Sequence, residues 1–445
     1  SYVLDAMGVD AWRSSGAIRL SFSVLASPSD IATACQRIEM IGQALCDSCL
    51  VVANDADGLS GEELDGLIQL KSGSDCTYLL MDSASKQCVV IDPFDALAQR
   101  VETLVRCQNS SVIAVLDTHN HVDHDSIRKE LLGAMSKFAS DSAHTDDPLG
   151  WPANACGTCV LGDDTPAEYL QLSENWVIAK TDFPGHTQIG VAYLVGKLDD
   201  NNALKPSAIR YAFLGDMILM GGIGRTDFPC SSTTSMYQSL QRLPRLIDDF
   251  TLICPTHDYN FGLATTLKTE IAENDFLHSI IKADVPMSLD QFLKMKPTID
   301  AEIADETNSE LVCGMINKAV QACDVSLRRD ELNELLESDT DHLIIDVREP
   351  HEFRFQQGWD ELGFREIPRN VPLTRLSDFL PELLEDYADP QRMVVFLCRS
   401  GSRSGKAAEV ARRLGIKNAR SVVGGLALNT LHCSASAAVE LEYEI

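Results

Sequence analysis

Residues Val112–His124 read VIAVLDTHNHVDH and join an apolar run to a dense group of metal-binding side chains. The run Val112–Asp117 has the length and composition of a buried strand. Three histidines and an aspartate follow within six residues: His119, His121, Asp123 and His124. Such a group is costly in an apolar core and natural around a metal ion, so a metal site is predicted at the end of this strand. A chance group of surface histidines is the alternative.

Three further strand-like segments end in residues of the same kind. VIAK precedes Pro184–Thr187 (PGHT), YAFL precedes Gly215 and Asp216, and TLIC precedes Pro255–Tyr259 (PTHDY). Because each strand end supplies one part of a ligand set, the four segments are predicted to meet around one metal site. The alternation of strands and helical patterns along the chain is typical of an α/β protein.

In this order the motifs resemble the metallo-β-lactamase superfamily over about residues 66–280. The resemblance implies an αββα sandwich with the metal site at one edge of two packed sheets. That scaffold hosts both hydrolases and oxygenases. Two further motifs, Gly224–Phe228 (GRTDF) and His257–Tyr259 (HDY), resemble the persulfide dioxygenase branch. The family oxidises glutathione persulfide to sulfite and glutathione, and this activity is the one that the resemblance implies.

The persulfide dioxygenase resemblance implies one Fe(II) per chain, held by His119, His186 and Asp216. Two histidines and a carboxylate on one face leave three coordination positions, enough for a thiolate-type substrate and O₂. The other members of the set would orient these ligands: His121, Asp123, His124 and His257. Arg225 and Tyr259, from the two additional motifs, are candidate substrate contacts.

The competing hypothesis is a binuclear zinc thioester hydrolase of the glyoxalase II kind. It would use all seven positions, with Asp216 bridging two zinc ions and activating a water molecule. The GRTDF motif favours the dioxygenase, and metal content separates the two. A non-catalytic sulfur-binding or scaffolding module is a third hypothesis, disfavoured because all the expected ligands are present.

A second site is predicted in the C-terminal part, where MVVFL (Met393–Leu397) leads into Cys398 and a helix. The positive end of the helix dipole and the loop N–H groups would lower the pKa of this thiol and hold an anion. Arg399 and Arg403 complete a candidate catalytic set with Cys398. A buried structural cysteine is the alternative. A cysteine phosphatase loop needs an arginine six residues after the cysteine, where this chain has Ser404.

The loop resembles that of the rhodanese (sulfurtransferase) family over about residues 326–435. LIIDVREPHEF (Leu343–Phe353) and VVGG (Val422–Gly425) extend the resemblance. It implies a separate α/β domain with a parallel sheet and its own core, in which Cys398 carries sulfane sulfur from thiosulfate or a persulfide. Arg403 is expected to serve the incoming anion. The alternative is a surface pair with an acid such as Glu409, worth roughly 0–1 kcal/mol.

The N-terminal segment resembles the tail of a class V aminotransferase or cysteine desulfurase. The matching residues are Gly16–Phe22 and Ser29–Ile31, with Arg19 in the place of an arginine that holds a substrate carboxylate in that family. A β-α extension without that role is the alternative, and a longer desulfurase fusion is compatible with the match. The pairs Cys46/Cys49 and Cys156/Cys159 are too far apart in sequence for an ordinary four-cysteine zinc site.

Composition limits the partners of the 445-residue chain. Its 37 Lys and Arg against 66 Asp and Glu give a net charge of −29, which disfavours nucleic acid and anionic membranes. Its 14 cysteines are scattered through a large chain, as in reduced cytoplasmic proteins. The expected partners are a thiol persulfide, O₂ and thiosulfate or sulfite, and the composition is compatible with a homodimer.

The motifs divide the chain into three predicted parts. These are the desulfurase-tail-like segment at residues 1–50, a dioxygenase domain for hydrogen sulfide oxidation at 66–315, and a rhodanese domain at 326–445.

Overall fold

The computed structural model describes residues 27–29, 31–35, 63–120, 126–153, 157–174, 176–259, 262–307, 325–338, 340–355, 359, 362–364, 366–387, 389 and 391–427. The side chains of 302–307, 351, 354 and 355 are not described. In the N-terminal segment, residues 28, 29 and 31–35 are helical. Arg19, Cys46, Cys49 and Cys156 lie outside the described residues, so the desulfurase-tail resemblance stays a prediction.

The first sheet contains four strands of the described chain, in the order β1-β2-β3-β4. They are β1 Gly66–Ser72, β2 Asp75–Asp82, β3 Gln87–Ile91 and β4 Ser111–Leu116. β1 to β3 are antiparallel neighbours, whereas β3 and β4 are parallel and are joined through helix α1, Asp95–Gln108. Side chains alternate along β2, so that Tyr78 faces one apolar cluster and Leu79 the other.

The second sheet has eight strands within the described residues, in the order β14-β13-β10-β8-β7-β6-β5-β9. These are β5 Gly157–Leu161, β6 Pro166–Gln171, β7 Val177–Asp182, β8 Val191–Gly196, β9 Ala203–Leu204, β10 Ile209–Phe213, β13 Leu252–Cys254 and β14 Thr265–Thr266. A short hairpin, β11 Ile218–Leu219 and β12 Gly222–Ile223, follows β10. β10 and β13 are parallel, with Phe213 opposite Cys254. The loops that follow both strands therefore emerge at the same edge.

The two sheets pack face to face, as the ring centroids of Tyr78 and Phe213, one from each sheet, lie 5.1 Å apart. Helices α1 and α2 (Arg128–Ala134) cover the outer face of the first sheet. The outer face of the second sheet is covered by α3 Thr233–Leu246, α4 Leu267–Glu273, α5 Asp275–Ile281 and α6 Leu289–Thr307. The predicted αββα sandwich is confirmed.

The C-terminal domain is built on a sheet of five parallel strands in the described residues, ordered β15-β19-β18-β16-β17. The strands are β15 Ser326–Leu327, β16 His342–Asp346, β17 Arg369–Asn370, β18 Met393–Leu397 and β19 Ala419–Val422. Its helices are α7 Arg329–Glu337, α8 Pro350–Phe355, α9 Leu376–Tyr387 and α10 Ser402–Arg413. The predicted parallel α/β fold is confirmed. The described helices of the chain are all too short or too polar to span a membrane.

The expectation that each domain has its own separate core is wrong at one face. A single buried cluster contains Leu67 and Tyr78 of the first sheet together with Leu376, Phe379 and Phe396 of the C-terminal domain. The reason is that β1 is an edge strand, whose backbone groups need partners and whose apolar residues need cover. Helix α9 supplies both. Asp378 accepts a hydrogen bond from the Leu67 N–H at 3.1 Å, and Leu376 and Phe379 lie in the same apolar cluster as Leu67.

Candidate metal centre and cysteine loop

Three side chains converge at the edge of the sandwich where the four strand ends meet. His119 follows β4, His186 lies between β7 and β8, and Asp216 lies in a 3-10 turn after β10. The Nε2 atoms of His119 and His186 each lie 3.8 Å from Oδ2 of Asp216. The ligand atoms of all three residues lie within 4.8 Å of one another, so one ion can be within reach of all three.

Hydrogen bonds to the far ring nitrogens aim both imidazoles at this point. His186 Nδ1 donates to the Arg225 carbonyl at 2.9 Å, which leaves the Nε2 lone pair directed inward. Burial lowers the pKa of His186, which favours the neutral ligand form. His119 Nδ1 lies 2.9 Å from the Thr118 hydroxyl, which itself donates to Asp92. The buried Nε2 of His186 has no hydrogen-bond partner among the described residues, as expected of a metal-ligand atom.

His257 contacts the carboxylate that the two other histidines face. Its Nδ1 lies 2.9 Å from both oxygens of Asp216. Burial by itself raises the pKa of Asp216, but the charge and hydrogen bond of His257 are the main effects that hold it well below its ordinary value. Asp216 is therefore an anionic donor at neutral pH. Tyr259, a predicted substrate contact, stacks on the His257 ring with centroids 5.8 Å apart.

The GRTDF segment lies directly against the ligands and leaves little room. A Cβ atom at Gly224 would be 2.1 Å from the Asp216 carbonyl oxygen and 3.0 Å from His186 Nδ1. The Arg225 side chain is 6% exposed, with its guanidinium 2.6 Å from Asp227 and above the ring of Phe228. The guanidinium group of Arg225, which was predicted to contact the substrate, is therefore engaged in an ion pair within the chain.

A buried ion pair that the sequence does not reveal lies behind this segment. Asp300 Oδ2 accepts hydrogen bonds from the backbone N–H and the hydroxyl of Thr226, and its Oδ1 pairs with the fully buried Lys296. Lys296 and Asp300 are one helical turn apart on α6. In a sequence, this spacing of opposite charges is typical of an ordinary surface pair. Their burial depends on the packing of α6 and could not be read from that spacing.

The remaining predicted metal-site residues, His121, Asp123 and His124, lie outside the described residues. Among the residues that are described, the group that could hold a metal ion is His119, His186 and Asp216. Two imidazoles and one carboxylate suit several first-row divalent ions and leave coordination positions for other molecules. The described residues therefore fit a metal centre in which these three side chains hold an ion.

In the C-terminal domain the Cys398 thiol lies in a ring of donors. Its Sγ accepts from the Gly401 N–H at 3.1 Å, the Ser404 N–H at 3.4 Å and the Ser404 hydroxyl at 3.3 Å. Burial alone would raise the pKa of Cys398, but the Ser404 hydroxyl and these N–H groups hold it below that of an ordinary thiol. Ser421 donates to Ser404 Oγ at 2.9 Å and so orients the hydroxyl. In the sequence, Ser404 stands out only as the residue in place of a phosphatase arginine, and no pattern indicates that Ser421 lies against it.

The two candidate arginines of the loop differ in their surroundings. Arg399 is exposed, whereas Arg403 makes a bidentate ion pair with Glu352, at 2.5 and 2.6 Å. The alternative partner named from the sequence, Glu409, is wrong, because Glu409 pairs with Lys406 at 2.8 Å. Arg403 and Glu409 are six residues apart on one helix, so they lie on different faces of it.

An αββα sandwich with a His-His-Asp group at its edge defines a metallo-β-lactamase-type protein, here joined to a second α/β domain. Residues 328–428 match the rhodanese-like domain family. The chain is 31% identical over 201 residues to a hydroxyacylglutathione hydrolase of Synechococcus sp. (strain CC9902), which covers 44% of this chain and 74% of that protein. The chain therefore belongs to the metallo-β-lactamase family that contains this hydrolase.

Two further likenesses concern the persulfide dioxygenase ETHE1. The chain is 27% identical over 223 residues to the mitochondrial persulfide dioxygenase ETHE1 of Bos taurus, covering 49% of this chain and 74% of the bovine protein. The crystal structure of ETHE1 from Myxococcus xanthus is 25% identical with a TM-score of 0.41, covering 53% of this chain and 91% of that chain. The chain is thus similar to persulfide dioxygenase ETHE1 over about half of its length, and a separate region of it matches the rhodanese-like domain family.

Proposed function

We propose that the chain oxidises a low-molecular-weight persulfide, of the glutathione persulfide type, with O₂ at one Fe(II) held by His119, His186 and Asp216. The persulfide, O₂ and one water give the free thiol, sulfite and two protons, so the outer sulfur leaves as sulfite. Similarity to persulfide dioxygenase ETHE1 and the rhodanese-like domain support this assignment. Fe(II), when bound, supplies open coordination positions and the redox chemistry that O₂ requires.

The observation that carries the proposal is the hydrogen bond between His257 and Asp216. Because His257 Nδ1 lies 2.9 Å from both carboxylate oxygens, it fixes the orientation of the carboxylate that His119 and His186 also face. A binuclear zinc site would use His257 as well, so metal content is the measurement that separates the two. The GRTDF segment adds to this role, since its Arg225 carbonyl fixes the orientation of His186.

The substrate is proposed to bind at this group on the side of Tyr259. That residue presents a phenol ring stacked on His257 and is half-buried. Arg225 is proposed to act on the substrate mainly through the loop it stabilises, because its guanidinium is paired with Asp227. His121, Asp123 and His124 remain proposed to orient the ligands.

The rhodanese-like domain is proposed to move sulfane sulfur through Cys398. The thiolate attacks the outer sulfur of thiosulfate, the S–S bond breaks, and sulfite leaves while Cys398 becomes a persulfide. A thiol then takes the outer sulfur and regenerates the Cys398 thiolate, giving the low-molecular-weight persulfide. The lowered pKa of Cys398 supports the nucleophilic role. Arg399 and Arg403 are proposed to attract the anionic donor.

Oxygen uptake with glutathione persulfide, measured together with metal content, tests the proposal. The expected result is one iron per chain and O₂ consumption that matches sulfite release. A second candidate, a thioester hydrolase, is favoured by the 31% identity to hydroxyacylglutathione hydrolase. Two zinc ions per chain and hydrolysis of a glutathione thioester, without O₂ uptake, would support that candidate and exclude the dioxygenase.

A further inference from the structure

Arg413, the last residue of α10, extends from the rhodanese-like domain into the metal-bearing domain. Its side chain is 7% exposed. One guanidinium nitrogen lies 2.8 Å from Glu270 Oε1 and 2.7 Å from the Thr265 hydroxyl, and Nε lies 2.9 Å from Glu273. The pair with Glu270 is buried on both sides, whereas Glu273 is 36% exposed. Removal of Arg413 would therefore leave the buried Glu270 carboxylate without its counter-charge.

Glu270 joins this arginine to the metal centre. The carboxylate is fully buried, and its second oxygen accepts a hydrogen bond from the Gly221 N–H at 2.9 Å. Burial raises the pKa of Glu270, and the charge of Arg413 is the main effect that opposes the rise. Gly221 lies in the hairpin between β11 and β12, after Asp216 and before the GRTDF segment. One carboxylate therefore connects the rhodanese-like domain to the backbone that separates Asp216 from Gly224.

The hairpin cannot move without disturbing the ligands. A Cβ atom at Gly224 would lie 2.1 Å from the Asp216 carbonyl oxygen and 3.0 Å from His186 Nδ1, so these backbones are in close contact. Close-packed contacts of this kind transmit displacement rather than absorb it. A shift of the Gly221 end would therefore reach both Asp216 and His186.

Arg413 also contacts the loop that follows His257. A Cβ atom at Gly262 would lie 2.7 Å from Nη1 of Arg413 and 2.2 Å from the sulfur of Met220. The Gly262 N–H donates to Asp258 Oδ1 at 2.9 Å, and Asp258 is the residue after His257. Arg413 thus stabilises two loops of the metal centre, one that carries Asp216 and one that carries His257.

We propose that Arg413 is a positioning residue for the metal centre, so that the rhodanese-like domain forms part of the scaffold of the metal site. Metal affinity then depends on Arg413 even though none of the contacts described for Arg413 is with His119, His186 or Asp216. This inference rests on the proposed function only for the turnover measurement, because metal binding tests it independently. A metal-bearing domain without α10 would therefore lack the contacts by which Arg413 positions the metal centre.

The test compares full-length variants by chelator competition with Mn(II) and Zn(II). Arg413→Met is expected to weaken metal binding by about tenfold, the lower end of the range for residues behind metal ligands. Arg413→Lys, which keeps a charge for Glu270, is expected to recover part of the affinity. Arg392→Met is the matched control, because Arg392 pairs with Asp341 on the surface of the same domain. It is expected to bind metal as the wild type does.

Two further measurements separate positioning from general stability. The KM for thiosulfate is expected to be unchanged in Arg413→Met, while kcat for persulfide oxidation falls with metal affinity. A lower Tm with wild-type metal affinity would overturn the proposal. If Arg413→Met does not fold, the pair Arg413→Met/Glu270→Gln removes both buried charges and is judged by the same tenfold criterion. Absence of O₂ uptake in the wild type would reject the dioxygenase function and leave the metal-affinity comparison valid.

Discussion

Thr226 donates both its backbone N–H and its hydroxyl group to one oxygen of the buried Asp300, at 2.9 and 3.0 Å. Thr226 follows Arg225, whose carbonyl orients the His186 ring. Asp300 also pairs with Lys296, which is fully buried. The carboxylate therefore connects helix α6 to a proposed iron ligand through a single peptide group, whose N–H is that of Thr226 and whose carbonyl is that of Arg225.

The first prediction concerns Asp300→Asn. The amide keeps the size of the side chain but removes the charge that Lys296 and the two Thr226 donors share. We expect several-fold weaker iron binding and a lower kcat, because the Arg225 carbonyl loses its fixed position. Iron content after dialysis and steady-state O₂ uptake measure the two effects. Asp290→Asn, an exposed change on the same helix, is the control. Equal iron retention in the two variants would contradict the prediction.

The second prediction concerns the three proposed ligands. His119→Ala, His186→Ala or Asp216→Ala should abolish O₂ uptake and lower bound iron, because each removes one of three donors that meet within 4.8 Å. Iron per chain is measured by elemental analysis and O₂ uptake with an electrode. Persulfide-dependent O₂ consumption at the wild-type rate in His186→Ala would exclude the site.

His257→Ala is the comparison variant for that experiment. It removes a hydrogen bond to Asp216 but none of the three proposed ligands, so we expect iron to be retained and turnover to fall. Loss of all metal from His257→Ala would instead indicate a binuclear site.

The convergence of His119, His186 and Asp216 was predictable because these residues follow strands and lie close to recognisable motifs. β4, β10 and β13 end at one edge, so residues placed just after them meet regardless of the rest of the sequence. The burial of Lys296 and the contact between Arg413 and Glu270 were not predictable in this way. They join segments that are distant in sequence, and only the packing of α6 and α10 brings them together.

The cysteine loop was also predictable only in part. Its strand, helix start and Cys398 follow from a local pattern, since the apolar run, the cysteine and the glycine are adjacent in sequence. The partner of Arg403 does not follow from a local pattern, because Glu352 lies 51 positions away in the chain. The segment that contains Glu352 was recognised as part of the domain, but its side-chain pairing depends on how α8 approaches α10.

The third prediction is that the two activities separate by point mutation. Cys398→Ser removes the nucleophile of the rhodanese-like domain, so thiosulfate sulfurtransferase activity should be lost. O₂ uptake on supplied persulfide should remain near normal, since the serine keeps the shape of the loop. Both rates are measured on the same preparation. A large fall in O₂ uptake would show that the two reactions share one site.

The fourth prediction concerns pH. The Ser404 hydroxyl is the strongest of the interactions that lower the pKa of Cys398. In Ser404→Ala the thiolate loses this donor, so the pKa should rise and the rate of alkylation at neutral pH should fall. The pH dependence of iodoacetamide alkylation gives the midpoint directly. Ser402→Ala, an exposed change in the same turn, is the control. A midpoint equal to that of the wild type in Ser404→Ala would reject the assignment.

The last prediction concerns Arg403, whose guanidinium is paired with Glu352 and also lies within electrostatic reach of Cys398. Arg403→Ala should raise the KM for thiosulfate and the pKa of Cys398, because a positive charge beside the thiolate and the dianionic donor is lost. The Arg403 and Glu352 side chains are 34% and 26% exposed, so their pair should contribute little to stability and Tm should change only slightly.

Glu352→Gln is the matched variant for this test, because it removes the same pair but keeps the guanidinium. If Arg403 serves the anion, Glu352→Gln should retain thiosulfate binding, whereas Arg403→Ala should not. If the pair serves only the fold, both variants should lose the same small amount of stability and keep their kinetics. Steady-state kinetics with thiosulfate and the pH profile of Cys398 alkylation distinguish the two outcomes. An unchanged KM and an unchanged profile in Arg403→Ala would refute a role for Arg403 in anion binding.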